Sequence, residues 1–291
     1  MKDWFLNILR DPQTGETLVC DPDRQRLDSG TNSYRICDDV PLFVDDKPKH
    51  EHPFDYVKHY TTDAELFDYF EEESDKLMSC HLERLRETVM RMVPKSAALL
   101  LDAGCGSAFV AGRFCRQGVR VVSMDIAKAN ACKALSKYPV ENHAALVADA
   151  YALPFADQTF DCIMASEIIE HTVDPQGFLA SLLQKLKSGG TLVVSTPYRE
   201  RIAYSLCIHC NCKTPHNAHL HSFDKEKVRK MLAPLPAHVE KMRLVGNKAL
   251  LRSHLTLLFS KMGYPVWSFV DRVANKLVPK AEHFVIVIKK K

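Results

Sequence analysis

Apolar and polar positions alternate along this chain in blocks whose period changes with position. Near the start, Leu18-Val19-Cys20 and Tyr34-Arg35-Ile36-Cys37 are short strand-like runs set among Asp, Gly, Ser and Asn turn residues. They predict a small β-rich module over residues 1–46. Asp45-Asp46-Lys47-Pro48-Lys49-His50 reads as a charged, proline-containing linker, so residues 47–97 hold a linker and N-terminal helices. Across 63–93, Leu66, Phe67, Phe70, Leu77, Leu82, Leu85, Val89 and Met92 recur at helical spacing among charged residues.

From residue 98 the pattern alternates strand and helix. Ala98-Leu99-Leu100-Leu101 predicts a buried strand ending at Asp102, with a helix over 107–117. Residues 119–124 predict a strand ending at Asp125, with a helix over 127–137. Residues 144–148 predict a strand ending at Asp149. A strand at 160–165, a helix at 175–187 closed by Gly189-Gly190, and a strand at 191–195 follow. The tail predicts a helix at 224–233, a strand at 238–245, a helical stretch over 248–278 and a last strand at 283–288. Repeated β-α-β with short apolar strands implies an α/β fold, a mostly parallel sheet with helices on both faces.

Composition adds bounds. The chain has 291 residues, 46% hydrophobic, 26% charged, with a net charge of +3. That suits one large core with a small appendage and gives no strong nucleic-acid signal. The N-terminus shows no signal-peptide pattern and no apolar run is long enough to span a bilayer, so the expected location is cytoplasmic. The expected solution state is a monomer or homodimer. The ten cysteines are scattered and read as thiols or metal ligands rather than disulfides.

Ligands of open α/β sheets bind beyond the carboxyl ends of the strands. Asp102, Asp125 and Asp149 all fall at such ends. One could be a helix cap; three in register are harder to explain by capping. Gly104-Cys105-Gly106 lets a ligand approach the backbone. Position 109 is Phe, where a dinucleotide fold wants glycine, which weighs against NAD. Asp125, about twenty residues after the turn, is placed to accept ribose hydroxyls and thus supports a nucleoside cofactor.

In order and spacing, residues 98–198 resemble class I S-adenosylmethionine-dependent methyltransferases. The matching segments are Leu101-Asp102-Ala103-Gly104-Cys105-Gly106-Ser107, Met124-Asp125-Ile126 and Ala148-Asp149-Ala150 with Leu153-Pro154-Phe155 and Phe160-Asp161. Ala165-Ser166-Glu167-Ile168-Ile169-Glu170-His171 and Leu186-Lys187-Ser188-Gly189-Gly190 complete the set. The resemblance implies a Rossmann-like seven-stranded sheet over 98–291, S-adenosyl-L-methionine as cofactor and a small-molecule acceptor. It also implies a cofactor site at Asp102, Ala103, Gly104, Cys105, Gly106, Asp125, Ile126, Asp149, Ala150, Ser166 and Glu167. Ala108 departs from the pattern, standing where many members have a third glycine; a tighter turn is the expectation. His171 is the nearest candidate base, with ordering of the loop before Asp174-Pro175 as its alternative role. Tyr56 and Tyr60 are candidates to cover the cofactor or to fill core.

Residues 207–221 pack three Cys and four His into fifteen positions. Cys207 and Cys210 have zinc-knuckle spacing, and His216, His219 and His221 are candidates to complete a tetrahedral site within an insert over about 205–223. Zinc is therefore a second expected cofactor, as a structural staple or with an open position for the acceptor. Residues 8–44 resemble a short zinc-ribbon-like domain that precedes some methyltransferases. Asp11 and Thr14 stand where its first cysteine pair would be, so a degenerate ribbon without that pair is expected. The insert at 248–278, rich in Leu, Phe and Val, suggests an apolar lid for a lipid-like or aromatic substrate, an interfacial helix, or packing on the sheet. The rival readings are a nicotinamide-dependent oxidoreductase and a non-catalytic scaffold of the same fold.

Overall fold

A computed structural model describes residues 1–21, 23, 25–44, 56–206 and 213–291. The expected linker residues 45–50, and Cys207 and Cys210, lie outside the described residues. In chain order the strands are β1 (Val19–Asp21), β2 (Arg26–Asp28), β3 (Ser33–Cys37), β4 (Val40–Pro41), β5 (Leu99–Ala103), β6 (Arg120–Asp125) and β7 (His143–Val147). They continue as β8 (Phe160–Ser166), β9 (Leu186–Pro197), β10 (Tyr204–Leu206), β11 (Lys213–Pro215), β12 (Ala237–Asn247) and β13 (Ala281–Lys290).

The main sheet has seven strands in the order β12-β13-β9-β8-β5-β6-β7. β5 pairs in parallel with β6 and β8, and β6 with β7. β13 runs antiparallel to both β9 and β12. The chain steps from β5 to β6 and β7, then returns to β8 on the other side of β5. That reversal is a topological switch point, and open α/β sheets bind their ligands beyond the strand ends at such points. Leu100, Leu101, Val121, Val122 and Ile163 are fully buried, because strands covered on both faces need apolar side chains pointing both ways.

The chain packs as two compact units. The first comprises Met1–Glu71, Lys95–Met164 and Leu179–Gly190; the second comprises Glu72–Pro94, Ala165–Phe178 and Thr191–Lys291.

In the first unit the N-terminal module is a four-stranded antiparallel sheet, β1-β2-β3-β4. It is docked, with Phe43 N–H donating to the Val147 carbonyl (2.8 Å) and Arg10 N–H to that of Pro154 (2.9 Å). Val40 packs in one apolar cluster with Ala131, Ala145 and Val147. The module thereby covers β7, which would otherwise present an open edge. Asp11 is buried as the hub of this module. Its carboxylate accepts from Ser29 Oγ (2.5 Å), Asn32 Nδ2 (2.9 Å), Tyr34 Oη (2.9 Å), Gln13 N–H (2.8 Å) and Thr14 N–H (3.3 Å). Burial opposes its ionisation, but these donors outweigh that and hold the carboxyl below the usual range. Asp161 ties down the start of β5, accepting from the N–H groups of Ala98 and Leu99 at 2.9 Å each.

Two helical expectations are corrected. The stretch 63–93 is two helices, Tyr56–Leu66 and Lys76–Met90. The acidic run Glu71-Glu72-Glu73 lies in the gap, and Asp75 starts the second helix by accepting from the N–H groups of Leu77 and Met78. The stretch 248–278 is three helices, Lys248–Arg252, Leu255–Ser260 and Tyr264–Leu277. His254 breaks the first junction with a left-handed backbone (φ 58°), and Gly263-Tyr264-Pro265 opens the third helix with proline in its first turn. The helix at 175 ends at Lys185, two residues early, because β9 begins at Leu186.

Candidate functional site

The first unit brings together the strand-end residues. Gly104 and Cys105 N–H both donate to the Met124 carbonyl (2.8 and 2.9 Å), which folds the turn after β5 back onto β6. Gly104 and Gly106 have φ of 71° and 44°, a region open to glycine without strain. Gly106 N–H donates to Asp125 Oδ2 at 3.1 Å, and Ala127 N–H to Asp125 Oδ1 at 3.0 Å. Ala148 N–H reaches the Asp125 carbonyl (3.1 Å), so Ile126 and the β7 end are held in the same cluster. Ala108 carries the left-handed conformation (φ 54°) expected of a glycine, with its methyl fully buried.

Asp149 Oδ2 accepts from the Tyr56 phenol at 2.6 Å, and Oδ1 from Tyr151 N–H at 3.0 Å. Ala150 is fastened through its carbonyl, which accepts from Ser181 Oγ. Tyr69, which sequence reasoning missed, stands over the glycine turn: a Cβ at Gly106 would lie 3.8 Å from its ring. Only the fold shows this, since Tyr69 lies 37 positions from Gly106 with no shared pattern.

Electrostatically the cluster is tense. Burial, then the Asp125 charge, push Asp102 well above the ordinary carboxyl range. Its Oδ2 is buried without a hydrogen-bond partner. Asp125 is raised by burial, against the pull of the Ala127 and Gly106 N–H donors. Burial and the two carboxylates raise the Cys105 thiol well above its usual value. Cys105 is buried in the turn, and its thiol is disfavoured as a thiolate.

The second unit holds Ser166, Glu167 and His171. Ser195 Oγ donates to Glu167 Oε1 (2.7 Å) and pairs with Ser166 Oγ (2.8 Å). His283 Nδ1 donates to Glu167 Oε2 at 2.8 Å, and the His81 ring packs on that of His283 at 5.0 Å. Burial works against charge on Glu167, but His283 more than offsets it and keeps the carboxyl low; Glu167 in turn raises His283. Burial pushes His81 down to about 4.

His171 is paired with a residue from the insert. Its ring meets that of His219 edge-on at 4.7 Å. One ligand atom each from Glu170, His171 and His219 lie within 4.8 Å of one another. Glu170 is buried, its Oε2 lacks a hydrogen-bond partner, and its carbonyl accepts from Leu220 N–H at 2.8 Å. His219 Nδ1 is engaged by Glu200 at 2.5 Å. Among the described residues, the other two expected histidines do not enter this group. His216 pairs with Ser205 Oγ, and His221 Nε2 donates to the Val173 carbonyl at 3.3 Å. Glu170 was legible only as a neighbour of His171; its convergence with His219 spans 49 positions of chain.

Comparison with known proteins agrees with the fold. Residues 101–194 match the family of methyltransferase domains. The ubiquinone biosynthesis O-methyltransferase of Parvibaculum lavamentivorans is 33% identical over 111 residues, covering 37% of this chain and 44% of that protein. The matched stretch is therefore less than half that relative's length. Geranyl diphosphate C-methyltransferase from Streptomyces coelicolor A3(2) superimposes with a TM-score of 0.56 at 14% identity, over 84% of this chain and 100% of its own. The [4+2]-cyclase SpnF gives a TM-score of 0.55 at 16% identity, over 81% of this chain and 92% of its own. At such identities the likeness carries the fold, the Rossmann-like architecture of class I methyltransferases, and one such fold hosts more than one chemistry.

Proposed function

We propose that the chain is an S-adenosylmethionine-dependent methyltransferase acting on a small molecule. The observation that carries this reading is the Asp125 carboxylate held against Gly106 N–H beside a buried, unpartnered Asp102 oxygen. The residues suit such a cofactor. Asp125 offers a ribose hydroxyl pair two oxygens, and the positive-φ glycines leave the backbone open to the amino-acid end. Asp149 and Ala150 border the adenine position, with the Tyr56 phenol fixing Asp149. The orphaned Asp102 oxygen is the kind of group that a cationic ligand end satisfies. Ser166 and Glu167 belong to the same reading through the family resemblance.

When bound, S-adenosylmethionine supplies an electrophilic methyl on a sulfonium whose leaving group is a neutral thioether. The protein's work is then to align the acceptor, an effect worth up to about 7–11 kcal/mol. The chain needs a base only for an acceptor that arrives protonated, and His171 is the residue proposed for that proton.

Glu170, His171 and His219 also suit a divalent cation such as zinc. Two histidines and a carboxylate leave a fourth position open, and the Glu200 contact on His219 Nδ1 fixes the tautomer that leaves Nε2 as a ligand. Such an ion would supply Lewis acidity toward an acceptor hydroxyl. In that case His171 is a ligand and not a base.

Titration calorimetry with S-adenosylhomocysteine and with NAD tests the reading. Binding of the first in the micromolar range and none of the second is expected. The opposite pattern returns the chain to the oxidoreductases.

A further inference from the structure

The helix Tyr264–Leu277 is built inside out. Its buried residues are Trp267 and three polar ones, Ser268, Asp271 and Asn275. Ser268 Oγ accepts from Arg243 of β12 at 3.0 Å. Asn275 Oδ1 accepts from Asn247 Nδ2 at 3.0 Å, and Asn275 Nδ2 donates to Asp271 Oδ1 at 3.2 Å. Burial raises the Asp271 carboxyl to about 7, against the attraction of Arg243.

The other side of this helix is apolar and faces water. Val266, Phe269, Val273 and Leu277 are 52%, 61%, 40% and 75% exposed. Their spacing of three, four and four residues sets them on one stripe opposite the buried face. A helix on a water-facing surface does the reverse, burying its apolar stripe and exposing its polar one. The preceding helix continues the character, with Leu255 and Leu258 at 41% and 62% exposed. Contiguous exposed apolar side chains of this kind mark an interaction surface, whereas single ones do not.

Charge identifies the partner. Residues 248–280 contain six basic residues, Lys248, Arg252, Lys261, Arg272, Lys276 and Lys280, and one acidic residue, the buried Asp271. All six but Lys248 are exposed. Arg272 and Lys276 stand one turn apart along the border of the stripe. A second copy of the chain would bring this positive rim against itself. An anionic, apolar-cored surface complements both parts. No helix of the described residues is long and apolar enough to cross a membrane, so the geometry is that of lying on one.

We propose that the segment Lys248–Lys280 docks on anionic membranes, with the Val266–Phe269–Val273–Leu277 stripe in the headgroup–acyl boundary and the basic rim on the lipid phosphates. The intact chain, sedimented with vesicles, tests this. Pelleting with phosphatidylcholine–phosphatidylglycerol vesicles is expected to exceed that with phosphatidylcholine alone by roughly ten-fold and to fall as salt rises. The pair Phe269→Ser and Leu277→Ser should abolish pelleting while leaving the thermal melt unchanged, since both side chains are exposed. Arg272→Glu with Lys276→Glu should remove the preference for phosphatidylglycerol. Absence of pelleting by the native chain, or equal pelleting by the serine pair, overturns the proposal. So does a dimer in light scattering that the serine pair converts to monomer without any vesicle binding, which would assign the stripe to self-association.

Discussion

The backbone N–H of Gly106 donates to the Asp125 carboxylate across 3.1 Å, so the turn after β5 and the end of β6 hold one another. A cofactor ribose would meet a carboxylate already oriented by the backbone. Hydrogen bonds to a charged group contribute roughly 1.5–3 kcal/mol each. Asp125→Asn keeps the size and removes the charge. It is expected to weaken S-adenosylhomocysteine binding by roughly 10- to 100-fold in calorimetry, the loss of about one such bond. An affinity within about two-fold of the native value would remove Asp125 from the ribose role.

Ala108 sits at φ 54° with its methyl buried. Glycine there relieves the left-handed strain of about 1 kcal/mol but forfeits about 0.8 kcal/mol of buried methyl. Ala108→Gly should therefore change the unfolding free energy by less than about 1 kcal/mol. Ala108→Val, β-branched and without room, should cost more than about 2 kcal/mol. Urea denaturation of both variants checks the pair.

The Asp11 carboxylate gathers the donors that tie the N-terminal module together, so the module depends on its charge. Asp11→Asn should destabilise by about 2–4 kcal/mol in denaturant melts. The pH dependence follows from the sign of the shift. The folded-state pKa lies below the unfolded value, so the stabilisation is fully present above about pH 4 and is lost as pH falls through the folded value. The acid limb of the native stability profile should flatten in Asp11→Asn.

The metal reading separates His219 from the other insert histidines. Elemental analysis after zinc loading should give a bound ion in the native chain and in His216→Ala. Little should remain in His219→Ala or Glu170→Gln. Glu200→Gln should weaken zinc about 10- to 100-fold by freeing the His219 ring. Equal zinc in His219→Ala and the native chain would place the ion elsewhere or nowhere.

Much of the fold was legible along the chain. Uninterrupted apolar runs such as Leu99–Leu101 and Val121–Val122, repeated between helical stretches, read as strands covered on both faces, and the acid after each marks the strand's end. Those features depend on neighbours a few residues apart. Helix breaks were harder to read, because the 63–93 and 248–278 stretches keep helical spacing through Asp75 and His254. There a cap and a left-handed residue override periodicity. Least legible were groups that meet only after folding. Tyr69 reaches the glycine turn, Glu167 reaches His283, and His219 reaches Glu170 while His216 and His221 turn to other partners.

Local spacing therefore determined the β-α-β order, the glycine turn and the acidic strand ends, because a strand or helix reads out residues close in sequence. Tertiary structure alone decided that, of His216, His219 and His221, it is His219 that lies with Glu170 and His171. It alone decided that Asp11 serves as a hub and that the last long helix turns its apolar stripe outward. Each of these depends on burial and on partners dozens of positions away, and burial is a property of the packed chain.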